Sequence, residues 1–270
     1  MSYLENARKI STIITANEDD IEKQDTYLHR YLKMPFEKII ENWVKEGEKL
    51  AKKLNVDTVY YPGMAMDVLR VFIYTGCTTL IGCDLVDTSF YPILTECKKS
   101  SQSFKNQTEL YYVCDTLAKD LNTLGNYLKI EDTQPIKSIE IKKNKMTVKF
   151  TLLGKMRTLM AYIGNVNNFT PPKTPDLIFN SSFTLNSKKM AKLSPKLVAV
   201  PEQEENSLLT KDKKYITTLI PSLKFSIIDY FWIIMNDKEL ADKNSPLFIT
   251  KAYLLKELFS TKTFNIYSLN

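Results

Sequence analysis

Residues 58–87 read TVYYPGMAMDVLRVFIYTGCTTLIGCDLVD, and the punctuation of this stretch decides the fold. Thr58-Val59-Tyr60-Tyr61 is a short β-rich run that stops at Pro62-Gly63. Val68 to Tyr74 then carries apolar side chains at helical spacing. Thr79-Leu80-Ile81-Gly82-Cys83 is a continuous apolar run, as in a strand covered on both faces, and it ends at Asp84. Strand, helix and strand in this order form a βαβ unit, which requires a parallel sheet.

Outward from this unit, residues 1–55 read as helical. Ile39, Ile40, Trp43 and Val44, followed by Leu50 and Leu54, recur at helical spacing, with Pro35 opening the last helix. Downstream, Ile93 to Lys99 and Thr108 to Leu128 are further helical stretches; Leu110, Val113, Leu117, Leu121 and Leu124 form an apolar stripe in the second. Ser138 to Lys142 and Met146 to Phe150 alternate about Lys143-Asn144-Lys145, the pattern of a hairpin with one polar face. Three more core-type strands follow at Arg157–Ile163, Pro175–Phe179 and Lys196–Val200. Pro201 to Lys214 reads as an exposed loop, Phe225 to Met235 as a buried helix or strand, and Phe264 to Tyr267 as a terminal strand. The expected architecture is α/β: a mostly parallel sheet flanked by helices over 56–270, with an inserted β-hairpin and an N-terminal helical cap over 1–55.

Composition narrows the chemistry. A hydrophobic content of 44% and a charged content of 25% allow a substantial core in a chain of 270 residues. There is one histidine, His29, so a histidine triad or a multi-histidine metal site is not expected. Cys77, Cys83, Cys97 and Cys114 lack the paired spacing of a zinc site, and Cys77 and Cys83 read as small buried residues. The net charge of +6 is spread over dispersed lysines with carboxylates between them, which reads as a solvated surface or as steering of an anionic partner. Met1 to Lys9 is too polar for a secretory signal, and no apolar run reaches the ~18 residues of a membrane span, so a cytoplasmic setting is expected.

Parallel sheets bind ligands beyond the carboxyl ends of their strands. Gly63 follows the first strand directly, where a residue without Cβ lets a ligand approach the backbone. Asp84 stands 21 residues later, at the end of the second strand, the offset at which a carboxylate accepts from a ribose diol. A tight turn at Gly63 and a helix cap at Asp84 would explain the same residues. The turn Gly63-Met64-Ala65-Met66-Asp67-Val68 lacks two glycines of the dinucleotide fingerprint G-x-G-x-x-G, and Asp67 would repel a pyrophosphate. That carboxylate suits a cationic ligand or caps the helix.

These segments resemble the Rossmann-like (class I) S-adenosylmethionine-dependent methyltransferases. The likeness lies in Tyr61-Pro62-Gly63-Met64-Ala65, then Asp84, then Tyr162-Ile163-Gly164-Asn165, then Asp176-Leu177-Ile178-Phe179, and spans roughly residues 58–200. It implies S-adenosylmethionine as cofactor, with Gly63 and Asp67 flanking the methionine moiety, Asp84 on the ribose and Asn165 near the adenine. Tyr61 stands in the cofactor turn where that family has Asp or Glu, and Ala65 where it has glycine. Asn180-Ser181-Ser182-Phe183 follows the fourth strand, where amino-methylating members carry Asn-Pro-Pro-Tyr or Asn-Pro-Pro-Phe. The resemblance therefore implies a catalytic role for Asn180 toward an amine; without the two prolines the segment also reads as an ordinary polar loop.

Three readings of function follow. One is a methyltransferase acting on an unidentified acceptor, whether small molecule, protein or nucleic acid. A second is a non-catalytic binding protein on a degenerate methyltransferase fold. A third, motivated by the net charge of +6, is a nucleic-acid modifier or binder, whose binding would depend on salt.

Overall fold

The computed structural model describes residues 36–64, 68–84, 117–118, 120–132, 134–181, 185–202, 214–221 and 261–269. Helix α1 (Phe36–Leu54) leads into β1 (Thr58–Pro62), α2 (Val68–Thr75) and β2 (Thr79–Asp84). Helix α3 (residues 120–128) precedes β3 (Ile136–Lys142), β4 (Lys145–Leu152) and β5 (Lys155–Ile163). The chain continues through β6 (Leu177–Phe179), α4 (Ser187–Lys192), β7 (Leu197–Pro201), β8 (Lys214–Pro221) and β9 (Thr261–Ser268).

The nine strands among the described residues form one sheet, ordered β3-β4-β5-β2-β1-β6-β7-β9-β8. The middle five, β5-β2-β1-β6-β7, are parallel. Taken in chain order they run third, second, first, fourth, fifth, the doubly wound Rossmann order, which reverses between β1 and β6. Antiparallel strands extend both edges. The β3–β4 hairpin pairs with β5, while β9 runs antiparallel between β7 and β8.

The two faces of the sheet separate with the period of two that a strand imposes. Val59, Tyr61, Leu80, Leu177, Phe179, Leu197 and Ala199 face α1, α2 and α3 in one core. Tyr60, Ile81, Cys83, Ile178, Val198 and Val200 face the other way, onto Val166, Leu185 and Met190. Burial on both sides explains the unbroken apolar runs of β1, β2 and β7.

Helix α1 is amphipathic. Ile40, Trp43, Val44, Leu50 and Leu54 are buried, while Lys38, Glu41, Lys45, Glu48 and Lys52 are exposed. It packs on α2, whose eight residues are all buried, Arg70 included. In α3, Leu121 and Leu124 carry on the buried stripe begun by Leu117. Among the described residues no helix is long and apolar enough to cross a membrane.

Two charged side chains brace the amino ends of the strands. One Asp176 carboxylate oxygen accepts the backbone N–H groups of Asp57 and Thr58, both at 3.0 Å, and the other pairs with Lys196 Nζ at 2.7 Å. Arg157 on β5 donates to the carbonyl oxygens of Gly76 and Cys77 at 2.7 and 2.6 Å, holding the loop that returns from α2.

Two elements have no counterpart in the sequence reading. Helix α4 is only six residues long, too short for a periodic pattern, and is set by Asn186, whose side-chain oxygen accepts the Lys189 N–H at 2.9 Å. Strand β8 is mostly exposed along its length and is held by its ladder to β9 rather than by an apolar run. The segments 1–35, Ile93–Lys99 and Phe225–Met235 lie outside the described residues.

Candidate functional site at the strand ends

Ligands of open parallel sheets bind beyond the carboxyl ends of the strands, near the point where strand order reverses, which here lies between β1 and β6. Pro62 pairs with Cys83 at the ends of β1 and β2, and Asp84 pairs with Ile163 at the ends of β2 and β5. The Gly63 turn, Asp84 and Gly164-Asn165 therefore leave three neighbouring strands at one level. Gly63 takes a left-handed backbone, φ 61°, and its N–H donates to the Cys83 carbonyl at 2.9 Å. The Cys83 thiol in turn donates to the Gly164 carbonyl at 3.6 Å. These bonds tie the turn after β1 to the end of β2, and β2 to the end of β5.

Tyr61 is turned into the core. It is fully buried, meets Phe179 of β6 edge-on at 5.6 Å, and its hydroxyl accepts from the Ser181 hydroxyl at 3.3 Å. The Arg70 guanidinium, from α2, lies 5.7 Å over the Phe179 ring. Where the resembling family carries an acid, this chain has a phenol that joins β1 to β6 across the switch point.

Met64 folds back over Gly82 on β2. A Cβ at position 82 would lie 2.2 Å from the Met64 sulfur, so the glycine is needed for this approach. The thioether fills the space over the end of β2, beside the turn.

Asn180 is fully buried just beyond β6. Its backbone N–H donates to Ala199 O at 2.9 Å, its side-chain nitrogen donates to Leu185 O at 2.9 Å, and its side-chain oxygen accepts the Leu185 N–H at 3.3 Å. Both ends of the amide thus tie the end of β6 to Leu185. Asn165 is exposed; its side-chain oxygen accepts the Asn167 N–H at 2.9 Å, and its carbonyl accepts from Asn168 and Phe169, both at 3.0 Å. Asp67 lies outside the described residues, and Asp84 is placed by its backbone.

Sequence reasoning set Asp176 at the start of the fourth strand, and the structure places it there, immediately before β6 at the amino ends of the strands and away from the strand-end site. It overlooked Arg70, whose signal was a lone charge inside the apolar run Val68–Tyr74. It also overlooked the aromatic chain in which Phe169 sits 5.8 Å from Tyr60 and 4.8 Å from Tyr162. Burial pushes the Tyr60 phenol well above its usual range, with Cys83 adding to the rise, so it stays protonated. Among the described residues no group of three His, Cys, Asp or Glu side chains stands close enough to hold a metal ion.

No family model matches the chain. No curated protein matches it either. Among solved structures it is similar to a SAM-dependent methyltransferase from Thiobacillus denitrificans in complex with S-adenosyl-L-homocysteine, at 9% identity and a TM-score of 0.32, over 83% of this chain and 89% of that one. The likeness is loose, and the strand order and strand-end geometry stand independently of it.

Proposed function

We propose that the chain is a methyltransferase-like protein that binds S-adenosylmethionine at the carboxyl ends of β1, β2 and β5. The observation that carries this reading is the β1–β2 register, which sets the Gly63 turn and Asp84 on adjacent strands about 4.8 Å apart. A backbone without Cβ beside a carboxylate suits a nucleoside: Asp84 takes the ribose diol, exposed Asn165 approaches the adenine, and Gly63 with Asp67 flanks the methionine end. The cofactor would supply an electrophilic methyl group. The chain's part is positioning, which needs no metal and no histidine. Asn180 acts here as a positioning residue on the acceptor side, tying the end of β6 to Leu185.

Titration calorimetry with S-adenosylmethionine and S-adenosylhomocysteine tests this. Saturable binding is expected, weakened at least tenfold by Asp84→Ala. No binding at millimolar concentration would overturn the reading, and binding indifferent to Asp84→Ala would remove the ribose assignment.

Two observations favour a second reading. Tyr61 is buried and bonded to Ser181 at the family's acidic position, and Met64 fills the space over Gly82, as expected of a non-catalytic binding protein on the same fold. Failure of both nucleosides to bind is the outcome that this second reading predicts.

A further inference from the structure

The connection from β5 to β6, residues 164–176, crosses the sheet with turns and no helix. It lays Val166 and Phe169 over β1 and β2, and among the described residues no helix packs on the outer face of β3, β4 and β5. Directly paired residues share a face, so the ladders set Lys142, Lys145 and Tyr162 in one row. Lys149 projects from the same face one row further from Tyr162 than Thr147 and Met160. The face is accessible: Lys142 and Lys149 are exposed, Lys145 and Tyr162 are half-buried, and Met156 is 54% exposed.

Charge and aromaticity coincide here. Lys145 Nζ lies 5.6 Å over the Tyr162 ring, and the Phe169 ring stands 4.8 Å from Tyr162. Phe169 is seated in turn on fully buried Tyr60, so the two surface rings are anchored from the core. Glu140 also lies on this face, and it is ion-paired with Lys142. Tyr162 is two residues before Gly164, so the row ends at the candidate site.

We propose that this face docks a single-stranded nucleic acid, with bases on the Tyr162–Phe169 pair and phosphates on Lys142, Lys145 and Lys149. A positive track beside anchored rings is what sequence-tolerant single-strand binding requires. A flat sheet displays both to splayed bases, whereas a duplex would have its bases stacked inside. An acidic peptide would use the lysines and leave the rings without a role. As the acceptor class of a methyl transfer, this inference rests on the reading above. As a binding surface it is measured without cofactor, so the two fail separately.

The experiment is fluorescence anisotropy of labelled single-stranded RNA and DNA 20-mers across a salt series. The logarithm of the affinity should fall linearly with the logarithm of salt concentration. Lys145→Glu with Lys149→Glu should weaken binding at least tenfold and reduce the slope by about 1.4, at about 0.7 for each phosphate no longer neutralised. Tyr162→Leu should weaken binding several-fold with the slope unchanged. Lys45→Glu with Lys52→Glu makes the same charge change on exposed positions of α1, on the opposite side of the sheet, and should stay within twofold of the unmodified protein. Equal losses from the two lysine pairs, no binding of either oligonucleotide, or equally tight binding of an oligo-glutamate peptide would overturn the proposal. Circular dichroism of each variant confirms that the loss is not one of folding.

Discussion

The Ser181 hydroxyl donates to the Tyr61 hydroxyl across 3.3 Å, joining the first residues beyond β6 to the end of β1. Both groups are buried, Ser181 at 3% and Tyr61 at 0% exposure, in the one place where the parallel order reverses. A buried hydroxyl that loses its partner incurs the desolvation cost of the group, so the bond is worth more than its length suggests. It also occupies the position at which the resembling family carries an acid.

Tyr61→Phe and Ser181→Ala should each destabilise the fold by about 1 kcal/mol. The double variant should cost less than the sum, because the two residues share one interaction. Urea unfolding of the four proteins gives the coupling energy. Strict additivity would show that the hydroxyl pair contributes nothing.

Gly82→Ala sets a methyl group against Met64, whose sulfur would lie 2.2 Å and whose Cβ 3.0 Å from the new carbon. The thioether must move out of its seat, at a cost of about 1–3 kcal/mol. Adding Met64→Ala removes the clash, so Gly82→Ala should be nearly neutral in that background. Thermal unfolding of the single and double variants measures the difference. The same pair probes the site, since emptying the space over β2 should change nucleoside affinity in the calorimetric titration.

Asp176→Asn addresses the opposite end of the sheet. Burial raises this carboxyl's pKa, but Lys196 and the N–H groups of Thr58 and Asp57 outweigh burial and hold it below its ordinary value. A carboxyl depressed in the folded state adds stability that is present above its unfolded pKa, near 4, and is lost as pH falls through the folded value. Asp176→Asn should therefore destabilise the protein by about 1–3 kcal/mol at pH 7, as expected for bonds to a charged group. The gap should close below about pH 4 as the native carboxyl protonates. Urea unfolding at pH 7, 5, 4 and 3 checks both the size and the closure.

The sequence by itself determined the parallel core. The unbroken apolar runs of β1, β2 and β7 could only be strands covered on both faces, and the helix between β1 and β2 made them parallel. It also placed Gly63 and Asp84 at strand ends, because spacing along the chain fixes where an element stops. What a side chain touches there was not legible. Tyr61 could have faced a ligand or the core, and only its packing on Phe179 and its bond to Ser181 decided for the core. Asp176 was legible only as the residue that opens an apolar strand; its partners Asp57, Thr58 and Lys196 are brought to it by the β1–β6–β7 pairing at the amino ends of the strands. Strand β8 and the β3–β5 face, on which no helix packs among the described residues, likewise depend on neighbours: one on the ladder to β9, the other on a crossover that has no helix. Local pattern encodes burial and element length, while partners distant in sequence are chosen by the topology that closes the sheet.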